Sequence, residues 1–382
     1  LPKFPKEQEN TKPMSLLRFW KTGLFTATLL TVFATKAVAE LYGFYPYNPL
    51  SKAERNLAQS NIPLNIQNYR AAMRDNLLML IRYAKKHNPD FKIVAHEGQD
   101  LLTKSQWEYD REGYNRARLQ EDASDDSFLF HKDFYERDPD RYTPAYDYLN
   151  SLDAIALNNL YCGAGHESPV TKKHNLGLIT LEYCSTDEAA ASALLNTMVD
   201  KKISYIFTDL ERAFNNTDDK DSLNDSSKNI FQISDAQNIL ILTDDHRYAT
   251  PKQLTSELLE TNYDIIIMRP LFDNHQRFEA EDLNRLHFKK NGSKRLLLAE
   301  LNVSEASPRE YYWLKDWQLG SPVWLVRPSF TSADGIITAY WNPDWQQILS
   351  KYFRDIMNEG FDGVFLTGLE NYRYFEQLSP LE

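Results

Sequence analysis

The sequence predicts an α/β fold, a (β/α)8 TIM barrel forming a single domain, on three observations. Short apolar runs recur eight times along the chain, helical segments with their own start signals separate them, and residues 339–376 spell out one complete helix-to-strand unit. In that unit Asn342-Pro343 pairs an N-cap with proline at the first helical position. Ile348, Leu349, Phe353 and Ile356 recur at helical spacing until Gly360 ends the helix, and Val364–Leu366 follows as a fully apolar strand of the kind a parallel sheet buries on both faces.

In chain order, a helix is expected over Tyr69 to Lys86, with Met73, Leu77, Ile81 and Ala84 on one face. Strands are then expected at Phe91–Ala95, Ala154–Leu157, Leu176–Leu181, Ile203–Phe207, Ile239–Leu242, Ile265–Met268, Arg295–Ala299 and Val364–Leu366. Asp187-Glu188 open a helix after Ser185-Thr186, and Thr250-Pro251 marks another. The long connection from Leu101 to Tyr148, rich in Asp, Glu, Tyr and Phe, reads as a lid over the mouth of the barrel. The polar stretch 211–235 reads as a flexible linker.

The 382 residues carry a net charge of −11 with no strongly basic segment, which excludes the electrostatic attraction that drives nucleic-acid binding and suits a neutral or cationic ligand. Arg18 and Lys21 precede a mostly apolar run from Thr22 to Ala34, and Ala37-Val38-Ala39 is a small-x-small cleavage pattern. Residues 14–39 therefore read as a signal peptide rather than a retained anchor, residues 1–13 as an upstream extension, and 40–382 as the barrel domain. The expected location is secreted or periplasmic, with no membrane span once the signal is removed. Cys162 and Cys184 are the two cysteines, free to pair after export or to remain as half-buried thiols. Neither they nor His96, His131 and His166 show metal-ligand spacing. No phosphate-binding glycine loop, dinucleotide fingerprint or serine elbow occurs, so no metal and no cofactor are expected.

Tyr340-Trp341-Asn342-Pro343-Asp344-Trp345, then Gly360-Phe361-Asp362-Gly363-Val364-Phe365-Leu366-Thr367, then Glu370-Asn371-Tyr372 resemble a family of glycoside hydrolases related to the endo-α-1,4-polygalactosaminidases. Followed outward, the resemblance covers most of residues 66–376, with its halves in reversed order. Tyr69–Asp75, Asn88–Phe91 and His96-Glu97-Gly98 look like the family's second half; Asn238–Leu242, Tyr263–Ile265, Lys294–Ala299 and Ser304-Glu305-Ala306 look like its first. The resemblance thus implies a circularly permuted barrel, or else a fragment straddling two tandem barrels.

Active sites of this architecture lie at the C-terminal ends of the strands. Glycoside hydrolysis there needs two carboxyl groups. The resemblance implies acids at the ends of the family's second, fourth and sixth strands; the matching residues here are Arg269, Thr367 and Asn158, none of which can act as an acid. Carboxylates that do stand near strand ends are Glu97, Glu182, Asp209, Asp244, Asp245, Glu300 and Glu305. Glu97, whose strand is expected between those of Thr367 and Asn158, and Glu305, which matches the first glutamate of the family's G-E-A-E turn, are the leading catalytic candidates, with Glu182 third. Asn158, Thr367 and Arg269 are candidates for substrate binding. Asp362 precedes its strand and is assigned a structural role. Aromatic side chains crowd the loop between the last two strands, and Trp313 and Trp341 are expected to stack on sugar rings.

The resemblance implies an exported glycoside hydrolase acting on an amino-sugar-containing polysaccharide. The lost acids favour an alternative, a catalytically degenerate carbohydrate-binding barrel in exopolysaccharide handling. Arg269 and His96 also suit a carboxylated or phosphorylated sugar.

Overall fold

The computed structural model describes residues 67–104, 108, 143–209, 214–215, 217 and 226–378. The expected signal peptide and upstream extension, His131, and most of the proposed lid lie outside the described residues.

Eight parallel strands form one sheet: β1 (Lys92–His96), β2 (Ala154–Asn158), β3 (Gly177–Tyr183), β4 (Ile203–Phe207), β5 (Ile239–Leu242), β6 (Ile265–Met268), β7 (Leu296–Asn302) and, after an excursion, β11 (Gly363–Thr367). Their order is β4-β3-β2-β1-β11-β7-β6-β5, so the last barrel strand pairs with the first, and every other strand except β5 pairs with its predecessor. This is the cyclic order of a (β/α)8 barrel, and cyclic order is what a circular permutation preserves. β4 and β5 come side by side, but no ladder joins them among the described residues, so the barrel is nearly closed rather than closed. The excursion is a small antiparallel sheet of β8 (Glu305–Ala306), β9 (Leu325–Pro328) and β10 (Ile336–Thr338).

Helices alternate with the strands because their ends are written into the sequence. α1 (Tyr69–His87), α2 (Pro169–His174), α3 (Asp187–Val199), α4 (Pro251–Leu259) and α6 (Pro343–Glu359) each start at a side-chain cap, respectively Asn68, Ser168, Thr186, Thr250 and Asn342. α5 (Ala280–Leu286) precedes β7, and α7 (Tyr372–Gln377) packs against α1 to complete the outer layer. α6 buries Leu349, Phe353 and Ile356, as its spacing predicts, while Ile348 is half-buried and Trp345 and Tyr352 are buried in addition; it stops at Gly360, whose φ of +99° suits a residue without Cβ.

Two apolar cores result, and the two-residue period of each strand decides which side chain joins which. Val94, Ala154, Ala156, Ile179, Leu181, Ile239, Ile241, Ile265, Ile267, Leu296, Leu298 and Phe365 fill the barrel interior. Ile93, Ala95, Ile155, Leu157, Leu240, Leu242, Ile266, Leu297, Ala299, Val364 and Leu366 face the helices. Residues 226–235, expected to belong to a flexible linker, are packed instead. Ile230 and Ile233 enter the interior core, and the buried Lys289 Nζ donates to the carbonyls of Ser226 and Lys228 and to Asp264 Oδ1. Asp362 takes the structural place expected of it: its carboxylate accepts the Leu297 N–H at 2.8 Å and faces His287 Nε2 at 3.3 Å, tying β11 to β7 at the lower end. Cys162 and Cys184 form a disulfide, with Cα atoms 5.1 Å apart, between the β2 and β3 exits.

Candidate active site

At the C-terminal mouth the strands enclose a cavity of about 290 Å³ whose wall carries five glutamates, Glu97, Glu300, Glu305, Glu310 and Glu370, with Arg269 and His96. The strand period explains most of these placements. Counting on from Val94, Ala156, Ile267, Leu298 and Phe365, the next inward positions are His96, Asn158, Arg269, Glu300 and Thr367. Glu97 is out of phase. Its left-handed backbone (φ +59°), followed by Gly98 at +71°, breaks the alternation just past β1, and its side chain lines the cavity where a continuing strand would send it outward.

Five of the sequence candidates gather here. Glu97, Glu305, Arg269 and Thr367 line the cavity, and Asn158 sits behind it, with its Oδ1 3.0 Å from His96 Nε2. The expectation that the Glu97 strand lies between those of Thr367 and Asn158 agrees with the ladders. Glu97 Oε1 accepts the Asn158 N–H at 2.7 Å. Burial, reinforced by the neighbouring Glu370 carboxylate, pushes Glu97 up to about 8. Glu305 is held most firmly: Oε1 accepts from Ser329 Oγ (2.8 Å), Asn371 Nδ2 (3.0 Å) and Thr331 Oγ1 (3.5 Å), and Oε2 from Asn302 Nδ2 (3.4 Å). Burial raises its pKa while these donors oppose the rise.

Three candidates are placed elsewhere. Glu182 is completely buried on the outward phase of β3, between the inward Leu181 and Tyr183, and it does not face the cavity. Its carboxylate accepts the backbone N–H groups of Leu160, Tyr161 and Cys162 at 2.9, 3.0 and 2.9 Å, so it organises the loop that the disulfide closes. Trp313 stands edge-on to Trp317, at 5.4 Å between centroids, and Trp341 packs among Tyr69, Tyr340 and Phe375. Neither lines the cavity; both rings stabilise the rim.

Glu310, Glu370 and Asn371 join the site without having been singled out, and Glu300 was noted only as one acid among several. The strand period separates Glu300, inward, from Glu182, outward, only once the register of the ladders is known. Burial, opposed by Arg269, pushes Glu310 up to about 7, and its Oε2 accepts the Tyr352 hydroxyl at 3.3 Å. Burial also raises Glu300 against Arg269, and Glu370 against Arg373. His96 stacks on Phe365, and burial lowers its pKa, so its ring is neutral at neutral pH. Arg269 Nε donates to the Thr243 carbonyl and a terminal nitrogen to Asn274 Oδ1. Among the described residues, Asp244, Asp245 and His246 after β5 could hold a cation, with ligand atoms within 4.8 Å of one another. Two of their carboxylate oxygens already accept hydrogen bonds, Asp244 Oδ1 from the His246 backbone N–H (3.0 Å) and Asp245 Oδ2 from the Asp273 N–H (2.6 Å).

The chain is thus a (β/α)8 barrel with a glutamate-rich mouth. Three relatives share part of it. An uncharacterised protein of Deinococcus radiodurans is 26% identical over 111 residues, 29% of this chain and 34% of that protein. An uncharacterised protein of Methanocaldococcus jannaschii is 25% identical over 123 residues, 32% and 34% of the two chains, and one of Thermotoga maritima is 25% identical over 80 residues, 21% and 25%. The similarity therefore spans about a third or less of each relative's length. No family model matches the chain.

Proposed function

We propose that this barrel is an exported glycoside hydrolase that cuts a polysaccharide at its C-terminal mouth, the substrate containing amino sugars. The observation that carries the reading is the convergence of five glutamates, every one raised by burial, on a single cavity. Carboxyls held near their protonated form give up a proton to a leaving oxygen readily at neutral pH, and one that hydrogen-bond donors keep ionised supplies the opposite role. Glu305, whose four side-chain donors oppose the effect of burial, is assigned the role of base; Glu97, pushed up to about 8, contributes a protonated carboxyl to the same wall. An ammonium group on the sugar would pair with whichever of these carboxyls is ionised, and the amino-sugar substrate is what the resemblance implies. The basic-then-apolar stretch at 14–39 supports export.

Purified protein incubated with a galactosamine-rich polymer and with a uronic-acid-rich polymer, read by released reducing ends, tests the proposal. Cleavage of the first, lost in Glu305→Gln, is the expected result. Arg269, Thr367 and Asn158, standing where acids are expected, favour a second reading in which the cleft binds without cutting. Saturable binding of either polymer with no new reducing ends would select it.

A further inference from the structure

Two carboxyls that act on one bond need opposite protonation states at one pH, and unlike surroundings produce them. Four of the five cleft glutamates already have partners. Glu97 accepts the Asn158 N–H, Glu310 accepts the Tyr352 hydroxyl, Glu370 pairs with Arg373 at 2.9 Å, and Glu305 accepts from four side chains. Glu300 has no hydrogen-bond or ion-pair partner among the described residues, yet it projects from the inward face of β7 into the cavity. The geometry points to Glu300 as the proton donor of the glycoside hydrolase proposed above, on which this inference rests, with Glu305 as its ionised counterpart.

The supporting frame is rigid. Asn302, two residues along β7 from Glu300 and on the same inward column, donates to Glu305 Oε2 and accepts the Glu305 N–H at 3.0 Å. The two carboxyls are therefore referenced to one strand, as a pair that must keep its spacing requires. Arg269 follows Met268, the residue paired with Ala299, and so stands level with Glu300 on β6. Its contacts are to neutral oxygens, the Thr243 carbonyl and Asn274 Oδ1, so it acts on Glu300 through its field alone. Glu310 faces the same space from the loop after β8. From β11 the neighbours are Phe365 and Thr367, which carry no charge. Of these groups Arg269 favours the ionised form of Glu300 and burial the protonated one, while the Glu300 carboxylate in turn helps to raise Glu310.

In the step itself the Glu300 carboxylic acid transfers its proton to the glycosidic oxygen as the C1–O electron pair passes to that oxygen. Glu305 removes a proton from the water whose oxygen bonds to C1. One water is added across the bond, and solvent exchange returns the proton to Glu300.

The test compares a galactosamine polymer with a galactosamine oligomer carrying a dinitrophenyl aglycone, which leaves without protonation. Glu300→Gln is expected to lower kcat/KM on the polymer about 100- to 10,000-fold, to keep the aryl substrate within about tenfold, and to lose the alkaline limb of the pH profile. Glu305→Gln should lose both substrates, whereas Glu310→Gln and Glu97→Gln should keep the alkaline limb. Polymer turnover and an alkaline limb unchanged in Glu300→Gln would overturn the assignment while leaving the hydrolase intact. Wild-type protein inert on both substrates would overturn the hydrolase and the assignment together.

Discussion

At the scale of single residues, position along the strand period governs what a carboxylate does. Glu182 and Glu300 both stand near the end of a barrel strand, but one faces the helices and the other the cavity. Removing Glu182 leaves three half-buried N–H groups without their acceptor, each costing up to about 1–3 kcal/mol. Glu182→Ala is therefore expected to destabilise the fold by about 3 kcal/mol or more, measured as a lowered urea midpoint, with Glu182→Gln less severe. A second prediction concerns pH. Hydrogen bonding to the Asp362 carboxylate raises the His287 pKa above its ordinary value against the effect of burial. The folded state thus binds that proton more tightly than the unfolded chain. The resulting stability is fully present below about 6.5 and fades as pH rises through the folded value. Urea titrations of wild type and His287→Ala between pH 5 and about 8.5 should converge toward the alkaline end; curves that stay parallel would refute the coupling.

At the scale of elements, the turn after β11 reaches the site through Gly368. Its φ is +76°, and a Cβ there would meet Asn302 Oδ1 at 2.2 Å and Ser304 Oγ at 2.8 Å. Asn302 holds Glu305, so Gly368→Ala should displace that carboxylate as well as strain the turn. We expect turnover to fall at least tenfold more than Tm alone would explain, with Gly360→Ala as control, since nothing lies within 4 Å of its Cβ position. Element boundaries were largely legible in the sequence because caps and apolar runs are local signals: Asn342-Pro343, Thr250-Pro251 and all eight strands fall where expected. Facing was not. Strands buried on both sides show no alternation of apolar and polar residues, so Leu181-Glu182 and Ala299-Glu300 look alike until the register is known. The aromatic loop misled for a related reason: Trp313 and Trp341 have the flat faces a sugar needs, and the same faces pack equally well on Trp317 and Phe375.

For the whole molecule, the seam between β4 and β5 is the weak line of the barrel. β4 is half-exposed along most of its length, whereas β1, β11 and β7 are laddered on both sides in the middle of the sheet. Hydrogen exchange should therefore be fastest at the β4 amides and slowest in β1 and β11; uniform protection around the ring would show that the seam closes in solution. Distance along the chain kept this seam out of reach of sequence reasoning. The glutamates of the mouth come from three separate stretches, 97, 300–310 and 370, and only the folded ring makes them neighbours.

The inward column at the top of the sheet has a consequence for how such a protein changes its chemistry. Adjacent strands present their uppermost inward side chains around one hollow, so these sites are nearly interchangeable berths for a working group. Under the hydrolase proposed above, the carboxyl absent at Thr367 is supplied from the next strand by Glu300, one inward position lower, since Thr367 pairs with Asn302 and Phe365 with Glu300. Lineages built on this ring can therefore shift their reacting groups around the rim while the scaffold beneath stays the same.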